Sequence, residues 1–342
     1  MSARVTNRII TERRRSFNQR CAKMLLCKKC TGRCYLEYTV PDTPQIVERN
    51  EKLMRNNSYP VDAPRQFYRW RGYRVACYTA GAGPAILLIH SINAAASSFE
   101  MRRPFAALRT DHRVFALDFL GFGGSDRPQR IYCADDYIDL IGDFVRDTVG
   151  RGAVVIASSL GAAYTIRAAA RDADLFGPLI LICPTGMRNL VHPQQPGLAY
   201  RTLASPFGDL VFRLLASRSS IAYFLRAQSY YDPAVVTDEL IEGFYRAAYQ
   251  AGAKWAPICF LTGLLNCDVR DAFGQLRQPI LLVWGRQADL TPLRSADDFL
   301  ARNPRARLAV VDKARLSVQD ERPEEFIHLV REFLAAPHPS VP

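Results

Sequence analysis

The stretch spanning residues 153–167 constrains this chain more than any other. An apolar run, Ala153-Val154-Val155-Ile156, leads into Ala157-Ser158-Ser159-Leu160-Gly161, and the helix-like Ala162-Ala163-Tyr164-Thr165-Ile166-Arg167 follows. A buried strand that turns directly into a helix through a serine places strained backbone at that serine, which only small neighbours tolerate. Ser159 is therefore the first candidate for a reactive or ligand-facing side chain.

Strand-like and helix-like segments alternate on both sides of this turn. Residues 67–70 and 73–78 read as a hairpin turning at Arg71-Gly72, followed by strands at 85–90 and 113–118, with a helix near 98–108 between them. A helix around 135–149 precedes the serine turn, and further strands are expected at 178–183, 280–284 and 307–311. Phe326, Ile327, Val330 and Phe333 share one face of a closing helix. Alternation of this kind implies a mostly parallel central sheet with helices on both faces. The rhythm stops between residues 185 and 276, where rings recur at helical spacings: Phe207, Phe212, Tyr223, Phe224, Tyr230, Tyr231, Phe244, Tyr245, Tyr249, Trp255 and Phe260. That segment is expected to be a helical insertion whose rings mostly pack its own small core, leaving a few to line an apolar pocket.

The 342 residues thus divide into a basic arm (1–60), a first core segment (61–184), the cap insertion (185–276), a second core segment (277–336) and a short tail (337–342). The formal charge of +12 is concentrated in the arm, where 13 Lys and Arg face 5 Asp and Glu. Such an arm reads as a partly disordered extension, and it would be drawn to an anionic surface. Arg14-Arg15-Ser16-Phe17 echoes a twin-arginine signal, but the residues after it are too polar for one, so a cytoplasmic location is expected, with organelle targeting by the arm left open. Cys21, Cys27, Cys30 and Cys34 could hold a structural zinc, although their spacing is tighter than the separated pairs of zinc ribbons. The other cysteines, Cys77, Cys133, Cys183, Cys259 and Cys267, are scattered singly and read as buried free thiols in a reducing compartment. No segment has the length and apolarity of a transmembrane helix.

Four features in fixed order carry a family resemblance. His90-Ser91-Ile92 follows the third strand; Asp118-Phe119-Leu120-Gly121-Phe122-Gly123-Gly124-Ser125 follows the fourth; the serine turn comes next; and Gly285-Arg286-Gln287-Ala288-Asp289-Leu290-Thr291-Pro292 follows the strand at 280–284. From about residue 67 to 335 the chain resembles the capped branch of the α/β-hydrolase superfamily. The resemblance implies the α/β-hydrolase fold, Ser159 as nucleophile, and an oxyanion hole from the backbone N–H groups of Ile92 and Leu160. It implies no cofactor and an apolar small-molecule substrate or ligand.

The same resemblance exposes two departures. The family's catalytic acid falls at Ala288, one residue before Asp289, and its catalytic histidine falls at Leu316. A serine hydroxyl is a poor nucleophile unless a histidine takes its proton and an acid orients that histidine. Among the five histidines, His90 belongs to the oxyanion loop, His112 to the far end of the sheet, His328 to the last helix and His338 to the tail. His192 is the one substitute on the correct side, with Asp289 as a substitute acid or, more simply, a turn-capping residue. Two functions stay open: hydrolysis or acyl transfer on an ester or related carbonyl, and non-enzymatic ligand binding or scaffolding. The oligomeric state is not legible.

Overall fold

A computed structural model of the chain describes residues 60–188, 193 and 195–337. The four arm cysteines, His192 and His338 lie outside the described residues.

The elements follow the expected order. Strand β1 (Arg65–Trp70) pairs antiparallel with β2 (Tyr73–Ala80). The two residues between them, Arg71 and Gly72, have φ of 49° and 83°, which matches the right-handed twist of a tight hairpin. Then come β3 (Ala85–Ile89), α1 (Arg102–Leu108), β4 (Arg113–Leu117), α2 (Ala134–Phe144), β5 (Ala153–Ser158), α3 (Ser159–Arg171) and β6 (Phe176–Ile182). The insertion carries α4 (Leu198–Ala204), α5 (Pro206–Leu215), α6 (Arg218–Phe224), α7 (Asp238–Ala248) and α8 (Trp255–Leu261). The chain returns through α9 (Arg270–Gln275), β7 (Ile280–Gly285), α10 (Ser295–Arg302), β8 (Arg307–Val311), α11 (Val318–Glu321) and α12 (Pro323–Ala335).

These strands form one eight-stranded sheet in the order β1-β2-β4-β3-β5-β6-β7-β8, parallel from β4 onward. Helices α2, α3, α9 and α10 form one covering layer, and α1, α11 and α12 form the other. Because both faces are covered, the central strands are aliphatic along their whole length: every residue of β7 is buried, as are Ile86 to Ile89 of β3. The strand order reverses between β3 and β5, so a crevice opens at the carboxyl ends of those two strands. Ser159 stands at that crevice.

The insertion has its own apolar cluster around Phe212, Ile221, Leu225, Tyr230, Leu240 and Phe244. Fewer rings serve it than the spacing suggested. Phe207, Tyr223, Tyr231 and Tyr249 are exposed, while Trp255 and Phe260 pack against the core of the sheet. One cysteine also departs from expectation: Cys133 is exposed at the start of α2, whereas Cys77, Cys183, Cys259 and Cys267 are buried.

Candidate functional site

Strand β5 ends at Ser158 and helix α3 begins at Ser159, whose φ of 52° lies in the left-handed region. For a residue with a Cβ that conformation costs about 1–2 kcal/mol, so it persists only where the surrounding structure enforces it. Gly161 shows what does the enforcing: a Cβ there would overlap the His90 carbonyl oxygen and crowd the Ile89 side chain. The first turn of α3 is thus pressed against the end of β3. Leu160 belongs to that first turn, whose amides have no intrahelical acceptor and sit at the positive end of the helix dipole.

The loop facing the turn is held by buried polar groups. The Phe119 backbone N–H donates to Nε2 of His90 at 3.0 Å, which leaves the ring proton on Nδ1, 2.5 Å from the Ser91 carbonyl oxygen. Both ring nitrogens are therefore engaged in fastening the end of β3 to the end of β4, as the resemblance implied for His90. Beyond it, the buried Glu100 carboxylate accepts from the Ser91 N–H at 3.0 Å, the Ser91 hydroxyl at 2.9 Å and the Asn93 amide at 3.1 Å. Ile92 lies between these two anchored residues. Burial pushes the Glu100 carboxyl above the usual carboxylate range despite those bonds. Sequence reasoning missed Glu100; an acid standing alone in the stretch 91–101 was the available signal.

Asp118 ties the loop after β4 to β2 and to the residues before α1. Its carboxylate, fully buried, accepts from the backbone N–H groups of Ser98 and Gly124, both at 2.7 Å, and from the Ser98 and Tyr78 hydroxyls. Gly123 passes so close that any Cβ would overlap that carboxylate.

Ala288 and Leu316, the residues expected at the acid and base positions, lie in the loops after β7 and β8. Ala288 is buried in the turn after β7, its N–H bonded to the Gly285 carbonyl at 3.1 Å. Leu316 is half-buried in the loop after β8. The loops touch, since a Cβ on Gly285 would collide with the carbonyls of Ala314 and Arg315. Among the described residues Asp289 caps no backbone amide; its exposed carboxylate reaches Arg315 at 3.8 Å. His112 sits beside Asp111 just before β4, and His328 is exposed on α12. Among the described residues, no histidine or carboxylate makes a hydrogen bond to the Ser159 hydroxyl.

The Leu316 loop is instead tied to the insertion. Ser317 bonds Ser229 through backbone at 3.2 Å and through hydroxyls at 2.7 Å. The Glu321 carboxylate accepts the N–H groups of Tyr231 at 2.7 Å and Asp232 at 2.9 Å. Asp320, buried, takes the Tyr230 hydroxyl and pairs with Arg102 of α1 at 2.8 Å. Next to α6 and α7 opens a cleft of about 1610 Å³, lined by Arg65, Phe99, Arg218, Tyr223, Glu242 and Tyr245 among others. It is charged and aromatic, and neither Ser159 nor Ile92 lines it, so it is not the apolar pocket expected between cap and turn.

A sequence profile of the alpha/beta hydrolase family matches residues 86–329. The chain belongs to the alpha/beta hydrolase family. Among relatives of this α/β hydrolase, 2-(acetamidomethylene)succinate hydrolase of Mesorhizobium japonicum is 27% identical over 264 residues, covering 75% of this chain and 90% of that protein. A 2-hydroxy-6-oxononadienedioate/2-hydroxy-6-oxononatrienedioate hydrolase of Comamonas testosteroni is 25% identical over 278 residues, covering 77% and 92% respectively. The crystal structure of a serine hydrolase involved in carbazole degradation superposes with a TM-score of 0.66 at 21% identity, covering 80% of this chain and 99% of that one. At that identity the likeness shows the fold, which in this α/β hydrolase is the mostly parallel eight-stranded sheet with a helical insertion. Among the described residues of the α/β hydrolase, no helix is long and apolar enough to cross a membrane, and no group of three His, Cys, Asp or Glu could hold a metal ion.

Proposed function

We propose that this α/β hydrolase family member binds a small, mostly apolar molecule bearing a carbonyl or carboxylate group, and that it has lost the efficient proton transfer of a serine hydrolase. The Ser159 hydroxyl and the amides of Ile92 and Leu160 hold the oxygen of the ligand. One observation carries the reading: Ala288 and Leu316 occupy the loops after β7 and β8 from which a proton would be withdrawn. An aliphatic side chain accepts no proton, and a triad stripped of its base retains roughly 10³–10⁴ of rate over water from binding and the oxyanion hole alone. A carboxylated ligand agrees with the succinate and dienedioate derivatives named for the two curated relatives.

Hydrolysis through an unusual base is the second reading, and one observation favours it. Of the five histidines, His90, His112 and His328 are engaged or placed away from the turn, which leaves His192 and the tail residue His338, and of these two His192 is the one that follows β6 in the sequence before the insertion. Asp289 would then be its acid.

A fluorophosphonate probe separates the two. No labelling of Ser159 at neutral pH supports the binder. Labelling that vanishes in both Ser159→Ala and His192→Ala supports the hydrolase and overturns the first reading. Ala288→Asp combined with Leu316→His should install measurable hydrolysis of a simple aryl ester; a folded, inert double variant counts against the assignment of those two slots.

A further inference from the structure

Helix α5 uses only part of its apolar surface. Its side chains Phe207, Leu210 and Leu214, at the i, i+3, i+7 spacing of a single face, are 60%, 58% and 64% exposed, and Leu198 of α4 is 80% exposed. Phe212, on another side of α5, is buried in the apolar cluster of the insertion. A helix normally spends its apolar arc on the core, so an arc divided between core and solvent marks a surface with an occupant. Gly208 makes the display compact: any Cβ there would overlap the Leu203 backbone, and that contact folds α5 tightly back on α4.

The charges around this face are one-sided. Arg201 and Arg213 are exposed and have no carboxylate partner among the described residues. Asp209 is the one acid between residues 198 and 218, and it is neutralised by Lys254 at 2.7 Å. Apolar side chains at the crest with guanidinium groups beside them are the arrangement of an in-plane interfacial helix, which buries its apolar face at the acyl boundary while its basic residues meet lipid phosphates. A two-fold pairing of two copies through the same face would instead bring Arg201 and Arg213 toward their own duplicates. The observations therefore favour an anionic bilayer.

We propose that the face of α4 and α5 centred on Phe207, Leu210 and Leu214 docks this protein onto an anionic lipid surface. The docking is independent of any chemistry at Ser159. The basic arm adds attraction that salt screens, whereas the apolar crest supplies binding that survives salt.

Co-sedimentation of the full chain with vesicles of equimolar phosphatidylglycerol and phosphatidylcholine tests this, with vesicles of phosphatidylcholine alone as the neutral comparison. Phe207→Ser/Leu210→Ser/Leu214→Ser should lower partitioning onto the anionic vesicles roughly tenfold and remove the part that resists high salt. Arg201→Glu/Arg213→Glu, which leaves the crest intact and guards against misfolding of the triple variant, should lower it severalfold at low salt. Partitioning unchanged in both variants would mean that the arm alone binds lipid, and would overturn the proposal. So would a dimer in size-exclusion light scattering that the triple variant converts to monomer, because the face would then be a protein interface. A parent chain that fails to sediment with anionic vesicles overturns it as well.

Discussion

Gly161 and His90 are in backbone contact, so close that the α-hydrogen of Gly161 occupies the sole space between helix α3 and the His90 carbonyl. This contact sets the distance between the serine turn and the Ile92 loop, and any ligand held by both depends on it. Gly161→Ala must push α3 away from β3. We expect a loss of about 1–3 kcal/mol in denaturant unfolding, together with weakened ligand binding or probe labelling at Ser159. An alanine variant as stable as the parent would show that the two backbones are free to separate.

The backbone of Ser159 predicts an opposition between stability and function. Glycine accepts a φ of 52° without penalty while alanine keeps the strain. After allowance for the extra freedom of glycine in the unfolded chain, Ser159→Gly should be more stable than Ser159→Ala by about 1 kcal/mol. Thermal unfolding of the pair side by side checks this, and equal midpoints would contradict it.

Asp118 predicts a large loss. Removing its carboxylate in Asp118→Ala strands the buried N–H groups of Ser98 and Gly124 and the Tyr78 hydroxyl. A cost of about 3–5 kcal/mol is expected, with Asp118→Asn milder because it keeps one acceptor oxygen and the volume. Urea titrations of both variants measure the difference.

Glu100 predicts a pH dependence. Its carboxyl is raised by burial in the fold, so between the unfolded carboxylate pKa and the folded one the native state holds a proton that the unfolded chain has lost. Stability from this group is therefore full below about pH 4, near the unfolded value, and falls as pH rises through the folded value. The stability of the parent relative to Glu100→Gln should decline as pH rises above about pH 4 and level off once the pH passes the folded value. Subtracting the two titrations cancels the remaining carboxylates, and a flat difference would show that Glu100 is not raised.

The sequence made the strands and their order readable because buried parallel strands must be aliphatic along their length, as 280–284 and 85–89 are. It also made the positions of Ser159, Ala288 and Leu316 readable, since Ser159 directly follows β5 and the other two lie in the loops after β7 and β8. What it hid are contacts between residues remote along the chain. Tyr230 and Asp320 are 90 positions apart, and nothing local in either marks the other. Exposure in the insertion was hidden for a related reason: ring spacing reveals which residues share a helix face, but not whether a neighbouring helix covers it. Phe207 and Phe212 are both at helical spacings, and only the packing of α5 sends one outward and the other in.

The ties from Ser317, Asp320 and Glu321 to residues 229–232 have a consequence for how a visitor gets in and out. A lid that swings needs a free rim, and here the rim at residues 229–232 is riveted to the scaffold, so lifting it would strip the Tyr231 and Asp232 N–H groups and the Tyr230 hydroxyl of their carboxylate acceptors. The Arg127 guanidinium also holds residues 247 and 250 through the Ala247 carbonyl and the Gln250 side chain, so swinging the insertion away as one piece would have to break fastenings at two separate places together.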